Sequence, residues 1–88
     1  MVIDLGVIRS IPQLHTILQE QLNFPAFYGR NWEALRENLA EMSGMPSRLT
    51  LTGYPHFATM FPEEHRILLR IIEDYNTRFS PGNKIELS

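Results

Sequence analysis

Two short segments of the sequence alternate strictly between apolar and polar residues, and they constrain the fold more than any other feature. In SRLTLTG (47–53) and KIELS (84–88), every second side chain is apolar. A period of two predicts strands with one buried face and one solvated face. The residues predicted to face a core are Leu49, Leu51, Ile85 and Leu87, and those predicted to face solvent are Thr50, Thr52 and Glu86.

The segment between these strands decides how they pair. It begins a helix at Pro62 and carries apolar residues at helical spacing, namely Leu68, Ile71, Ile72, Tyr75 and Phe79. A helix that connects two strands of one sheet favours parallel pairing through a right-handed crossover. Parallel sheets are usually covered on both faces, whereas strict alternation leaves only one face to cover. We therefore predict a two-layer domain, with helices on one face of the sheet and water on the other.

The first half of the chain supplies another strand and two more helices. MVIDLGVI (1–8) is typical of a strand, and Ser10 can cap a helix whose apolar side is formed by Ile11, Leu14, Leu18 and Leu22. Asn31 can cap the next helix, and YPHFATMF (54–61) reads as a compact connection of about one helical turn. The predicted order is β-α-α-β-(α)-α-β, an α/β fold in a single domain over residues 1–88.

Composition and charge limit the kinds of molecule that the protein is expected to bind. The formal net charge is −2 and the eight basic residues are scattered, which argues against nucleic-acid binding and slightly favours basic partners. The chain has no cysteine, which fits a reducing compartment. MVIDLGVIRS is too short and too interrupted for a signal peptide or a membrane span. We expect a cytoplasmic protein with no membrane partner.

The sequence offers no convergent catalytic or metal-binding group. His15, His56 and His65 have no zinc-site spacing, and no phosphate-binding glycine loop is present. Glu64 and His65 are adjacent, so on a helix they point in different directions. His15 lies beside an apolar helical stripe and is expected to pack or to lie at the surface. We expect neither enzymatic activity, nor a cofactor, nor a metal.

The segment FYGRNWEALRENL (27–39) is the candidate functional region. In its predicted helix, Leu35, Leu39 and Met42 share one side, and Gly44 and Pro46 end the helix. The opposite side carries Glu33, Arg36, Glu37 and Ala40. Aromatic residues beside arginine are typical of interface centres, while the two glutamates would repel nucleic-acid phosphates. From the residues alone, a protein-binding surface and a solvated helix face both remain open.

The run PAFYGRNWEALRENL (25–39) resembles the core motif of the barstar family of intracellular ribonuclease inhibitors. The resemblance extends along nearly the whole chain: IRSIPQLHTILQEQL (8–22) is similar to the family's first helix, and the terminal Ile-Glu-Leu-Ser is similar to its last strand. It implies a three-stranded parallel sheet in the order 1-2-3 with helices packed on one face. It also implies that the second helix and the preceding loop plug the active site of a guanyl-specific, barnase-like ribonuclease.

The resemblance implies a role for individual residues. Phe27 would rest on the enzyme's catalytic histidine, the backbone at Gly29 and Asn31 would make contacts, and Glu33 and Glu37 would replace RNA phosphates, with Glu37 the dominant acid. The resulting partner-binding set is Phe27, Tyr28, Gly29, Arg30, Asn31, Glu33, Arg36, Glu37 and Ala40. We expect its loop and helix members to form one exposed patch with Glu37 near the middle, on a chain that is monomeric when free.

The sequence also departs from the family's pattern. Both interface acids are glutamates rather than aspartates, Arg36 stands in place of a tryptophan, and Arg30 stands in place of an acid. The acid that the family places on its last helix has two candidate counterparts, Glu73 and Asp74. These departures leave a second hypothesis open, in which the chain is a barstar-fold binding or immunity module whose target is not a ribonuclease.

Overall fold

A computed structural model of the chain describes residues 1–41 and 46–88. The elements in chain order are β1 (Val2–Asp4), a 3₁₀ turn (Leu5–Val7), α1 (Ile11–Gln21), α2 (Trp32–Glu41), β2 (Arg48–Thr52), α3 (Tyr54–Met60), α4 (Pro62–Phe79) and β3 (Lys84–Leu87). The expected contributions of Met42 and Gly44 to the second helix lie outside the described residues.

The three strands form one parallel sheet in the order β1-β2-β3. Ile3 is in register with Leu51, and Leu49 is in register with Ile85. These four side chains are buried in one cluster with Leu14, Leu35, Leu68 and Ile72 from the helices. Thr50, Thr52 and Glu86 alternate with the buried residues and are only half-buried. The predicted α/β fold, with a three-stranded parallel sheet and helices on one face, is therefore confirmed.

The ends of the outer strands differ from expectation. The first strand ends at Asp4, because the Asp4 carboxylate accepts a hydrogen bond from the Gly6 amide (2.8 Å) and turns the chain into the 3₁₀ turn. Leu87 is 37% exposed, although it pairs with Leu51. It is the last residue of an edge strand, so fewer neighbours cover it. The connection after β2 is longer than predicted, since α3 has seven residues, or about two turns.

Helix starts follow the sequence signals. The Ser10 hydroxyl accepts a hydrogen bond from the Gln13 amide (3.2 Å), and the Gln13 side chain accepts one from the Arg9 amide (2.7 Å). This reciprocal arrangement satisfies backbone donors that a helix start leaves free. Pro62 begins α4 and Glu63 lies in its first turn, where the helix dipole favours a carboxylate.

One close backbone approach fixes the path from the sheet into α3. Gly53 follows β2 with φ +67° and packs against the 3₁₀ turn. A Cβ atom at this position would lie 2.5 Å from the Gly6 nitrogen and 2.8 Å from an Asp4 carboxylate oxygen. Only glycine accommodates both the positive φ and this contact.

We predict that Gly53→Ala lowers the free energy of unfolding by about 2 kcal/mol or more. The added Cβ atom would clash with the backbone of the 3₁₀ turn, and alanine is strained at a positive φ. Gly82→Ala is the matched control: the nearest atom to its added Cβ is the Phe79 carbonyl oxygen at 3.5 Å, an ordinary contact. That control should stay within about 0.5 kcal/mol of the wild type or become slightly more stable. Equal losses in the two variants, measured by urea denaturation, would contradict this account of Gly53.

Candidate protein-binding surface

The candidate surface consists of the loop between α1 and α2, here called the 23–31 loop, together with the exposed side of α2. The loop turns sharply after α1, where Asn23 has φ +58°. Phe24 then enters the core, and its amide donates to the Gln19 carbonyl at 3.0 Å. The Tyr28 amide donates to the Pro25 carbonyl at 2.9 Å and closes a turn. These contacts bring Ala26, Phe27, Gly29 and Arg30 to the surface as a tight projection.

Tyr28 is a core residue, which corrects the expectation that it belongs to the exposed patch. Its side chain is 5% exposed, and its hydroxyl lies 2.7 Å from Nδ1 of His15 on α1. The Phe24 ring packs on it with a centroid separation of 4.9 Å, and the Trp32 ring meets His15 edge-on at 4.9 Å. A tyrosine can be buried when its hydroxyl has a hydrogen-bond partner in the core. Here it fastens the middle of the loop to the core.

His15 itself is 2% exposed, so of the two placements expected for it, packing or surface, the structure shows packing. Burial lowers the pKa of His15 and raises the pKa of Tyr28 to about 12, so both groups favour their neutral forms. The hydrogen bond therefore joins two neutral groups, and the imidazole tautomer decides which of them donates.

Phe27 lies on the opposite side of the loop from Tyr28 and is 87% exposed. The flanking Gly29, Arg30 and Asn31 are exposed as well, and so are Glu33, Arg36 and Glu37 on α2. Ala40 is half-buried. Apart from Tyr28, the predicted set therefore lies on the loop and on the solvent side of α2, opposite the buried Leu35 and Leu39.

Asn31 caps α2, as the sequence predicts. Its side-chain oxygen accepts a hydrogen bond from the Ala34 amide (2.7 Å), and its amide group donates to the Gly29 carbonyl (3.4 Å). A single side chain thus fixes the helix start and the loop residue before it. Glu33 follows in the first turn of the helix.

An ion pair joins the candidate surface to α4. The Arg36 guanidinium contacts the Asp74 carboxylate, and the two side chains remain 48% and 56% exposed. Burial, and then the negative charge of Glu73, raise the pKa of Tyr54 on α3. Of the two acids considered for α4, Asp74 is therefore the one beside α2. Sequence spacing could not reveal this contact, which joins residues 38 positions apart.

Arg36 and Asp74 also line a groove of about 120 Å³ between α2 and α4, together with Leu39, Ala40, Ile71, Tyr75, Arg78 and Phe79. With the α4 side of the groove included, this face of the protein carries four acids, Glu33, Glu37, Glu41 and Asp74, against three arginines, Arg30, Arg36 and Arg78. Its net charge of −1 is therefore the same as that of the segment 26–42 alone.

Over the described ranges 1–41 and 46–88, no group of three His, Asp or Glu side chains is placed to hold a metal ion. Within the same part of the chain, no helix has the length and apolar character to span a membrane.

We predict that the His15–Tyr28 pair makes stability depend on pH. The folded-state pKa of His15 is lowered, so the unfolded chain binds the proton more readily. The free energy of unfolding should be highest above the unfolded pKa of about 6.5 and should fall as the pH drops from there through the folded pKa.

Urea denaturation between pH 5 and 8 measures this dependence. The control is His15→Asn, whose side-chain amide lies at the place of Nδ1 and can hydrogen-bond the Tyr28 hydroxyl but does not titrate. The wild type should lose more stability on acidification than this variant does. Parallel pH profiles for the two proteins would contradict the assignment.

The comparisons with known proteins agree with this architecture. The Barstar family, described as barnase inhibitor, matches residues 1–87. The chain is also similar to a Bacillus subtilis (strain 168) protein named "Putative ribonuclease inhibitor YrdF", with 30% identity over 85 residues, which cover 97% of this chain and 93% of that protein. Together with the parallel sheet and the loop that leads into α2, these matches show that the chain belongs to the barstar family.

Proposed function

We propose that the chain inhibits a guanyl-specific, barnase-like ribonuclease by covering the enzyme's active site with the 23–31 loop and the exposed side of α2, and that it does so in the cytoplasm. The observation that carries the proposal is Phe27, an aromatic side chain that is 87% exposed beside two exposed carboxylates, in a member of a family of barnase inhibitors.

Phe27 is suited to be the apolar centre of the interface. Its ring is almost fully solvated in the free protein, so a binding pocket can gain nearly all of its burial energy. Tyr28 beneath it is fixed by His15, and Asn31 fixes the exit of the loop. A loop that is already ordered loses little conformational entropy on binding, which leaves more of the contact energy as affinity.

Glu33 and Glu37 supply the complementary charge. They lie one turn apart on α2, on the side opposite Leu35 and Leu39. A ribonuclease active site must carry cations to hold RNA phosphates, and carboxylates at this spacing can occupy the same cations. Asp74 adds a further acid to the same face, although Arg36 partly neutralises it. The balance suits a basic partner.

The direct test of the proposal is binding of purified barnase to single variants of this chain. Phe27→Ala should weaken binding by about 2 kcal/mol or more, and Glu37→Ala by on the order of 2–5 kcal/mol, mainly through faster dissociation. Both residues are exposed, so the free energy of unfolding should change by no more than about 0.5 kcal/mol.

Glu63→Ala is the matched control for Glu37→Ala. It removes the same charge from an exposed helical position, but it lies 11 residues, or about 16 Å, along α4 from Asp74. It should leave the barnase affinity nearly unchanged. If the wild type binds but neither Phe27→Ala nor Glu37→Ala weakens binding beyond this control, the proposed surface is wrong.

Arg36 tunes the charge of the surface, and its removal should therefore speed association. Arg36→Ala frees the Asp74 carboxylate and makes the face more negative, so the association rate constant with barnase at low salt should rise roughly two- to threefold, with a steeper salt dependence. Arg48→Ala is the control: it frees Glu86, its partner at 3.0 Å, with the same change of net charge, but the pair lies on β2 and β3. Stopped-flow association kinetics should separate the two variants. Slower association for Arg36→Ala would indicate that Arg36 meets a carboxylate of the partner.

A further inference from the structure

Gln19, on the last turn of α1, makes three contacts with the 23–31 loop. Its backbone carbonyl accepts from the Phe24 amide at 3.0 Å. Its side-chain NH₂ donates to the Pro25 carbonyl at 3.0 Å, and its side-chain oxygen accepts from Nε of Arg30 at 3.2 Å. One half-buried glutamine therefore connects the start of the projecting turn to its end.

The loop needs such a connection because its own backbone does not favour the observed path. Arg30 has φ +53°, in the left-handed region that residues with a side chain usually avoid. Between Pro25 and Arg30, the core holds only Tyr28, while Phe27 faces solvent. A non-glycine residue stays in this region only when surrounding contacts hold it there.

The other contacts of the loop act at different points. The Tyr28–His15 hydrogen bond holds the middle of the loop, and the Asn31 side chain holds Gly29 and the start of α2. The Gln19 side-chain amide ties the Pro25 carbonyl to the Arg30 side chain, and the Tyr28 amide also donates to that carbonyl. Loss of the glutamine would free the turn on which Phe27 stands.

We propose that Gln19 is a positioning residue, which holds the 23–31 loop in the conformation that presents Phe27 and does not itself touch the partner. The same geometry gives Arg30 a role within the chain, since its guanidinium supports the loop through Gln19. The inference extends the proposed function, because the conformation that Gln19 holds is the one that would bind the ribonuclease. If the loop is ordered in only a fraction of the molecules, the apparent affinity falls in proportion to that fraction.

Three variants separate the contacts. Gln19→Met removes both side-chain hydrogen bonds but keeps the length and helix propensity of the residue. Gln19→Glu keeps an acceptor for Arg30 but replaces the donor to Pro25 with an oxygen that repels the carbonyl. Gln21→Met is the matched control. Gln21 is exposed on the same helix, and its side chain makes no hydrogen bond within residues 1–41 and 46–88.

The readouts in the free protein are amide hydrogen exchange at Tyr28, whose N–H donates to the Pro25 carbonyl, and ¹⁵N order parameters of Gly29 and Arg30. In Gln19→Met, exchange at Tyr28 should accelerate about tenfold or more, as expected for loss of two hydrogen bonds, while exchange at Leu22, which follows α1 and donates to the Leu18 carbonyl, changes less. The order parameters should fall from rigid values of about 0.85 towards about 0.6. Gln19→Glu should also accelerate Tyr28 exchange, and Gln21→Met should not.

The readout with a partner is the dissociation constant for barnase, which should rise about tenfold in Gln19→Met. The free energy of unfolding should fall by the equivalent of the same factor, about 1.4 kcal/mol, because the hydrogen bonds are lost from the folded state only. An unchanged loop in Gln19→Met would overturn the inference, as would a loosened loop that binds barnase as tightly as the wild type. Order parameters that fall along the whole chain, and not only at the loop, would also overturn it. The measurements on the loop need no partner. If wild-type protein fails to bind barnase, the proposed function is contradicted. The free-protein measurements still decide whether Gln19 holds the loop.

Discussion

The hydrogen bond between the Tyr28 hydroxyl and the His15 imidazole connects the core of this protein to its candidate binding surface. It lies beneath the 23–31 loop, with Phe24 packed on Tyr28 and Trp32 packed on His15. Because Tyr28 points inward, its neighbour Phe27 points outward and becomes the most exposed aromatic side chain of the loop. The same contact therefore stabilises the fold and presents the residue that is proposed to bind.

The charge of the surface depends on packing between helices that are distant in sequence. The contact of α2 with α4 places Asp74 against Arg36, so an arginine that makes the isolated segment nearly neutral is largely compensated within the molecule. Glu33 and Glu37 then dominate the exposed side of α2. Exposed ion pairs contribute little to stability, so the main consequence of this pair is for the electrostatic potential that a partner meets.

Much of the fold could be predicted from local patterns. Alternation in β2 and β3 and a helical segment between them were enough for a parallel sheet with one covered face, and Ser10 and Asn31 identified two helix starts. These signals are local, because they depend on spacing and capping chemistry. The early end of β1 was missed, since it depends on a carboxylate that bonds to a backbone amide two residues later.

The candidate site could be predicted only in part. The exposed acids of α2 follow from helical periodicity, but the burial of Tyr28 depends on a partner 13 residues away, and the Arg36–Asp74 pair depends on one 38 residues away. Neither distance has a signature in a single sequence. The role of Gln19 is similar, because its helical position gives no sign that its side chain reaches the loop.

Inhibition kinetics decide whether this surface covers a ribonuclease active site. Cleavage of a short guanosine-containing RNA by barnase should be measured at several concentrations of the purified chain. We predict competitive inhibition, which a higher RNA concentration delays or relieves, because inhibitor and substrate would need the same cations. Cleavage that is unaffected by an excess of the chain, or inhibition that does not weaken when more RNA is present before the chain is added, would contradict it.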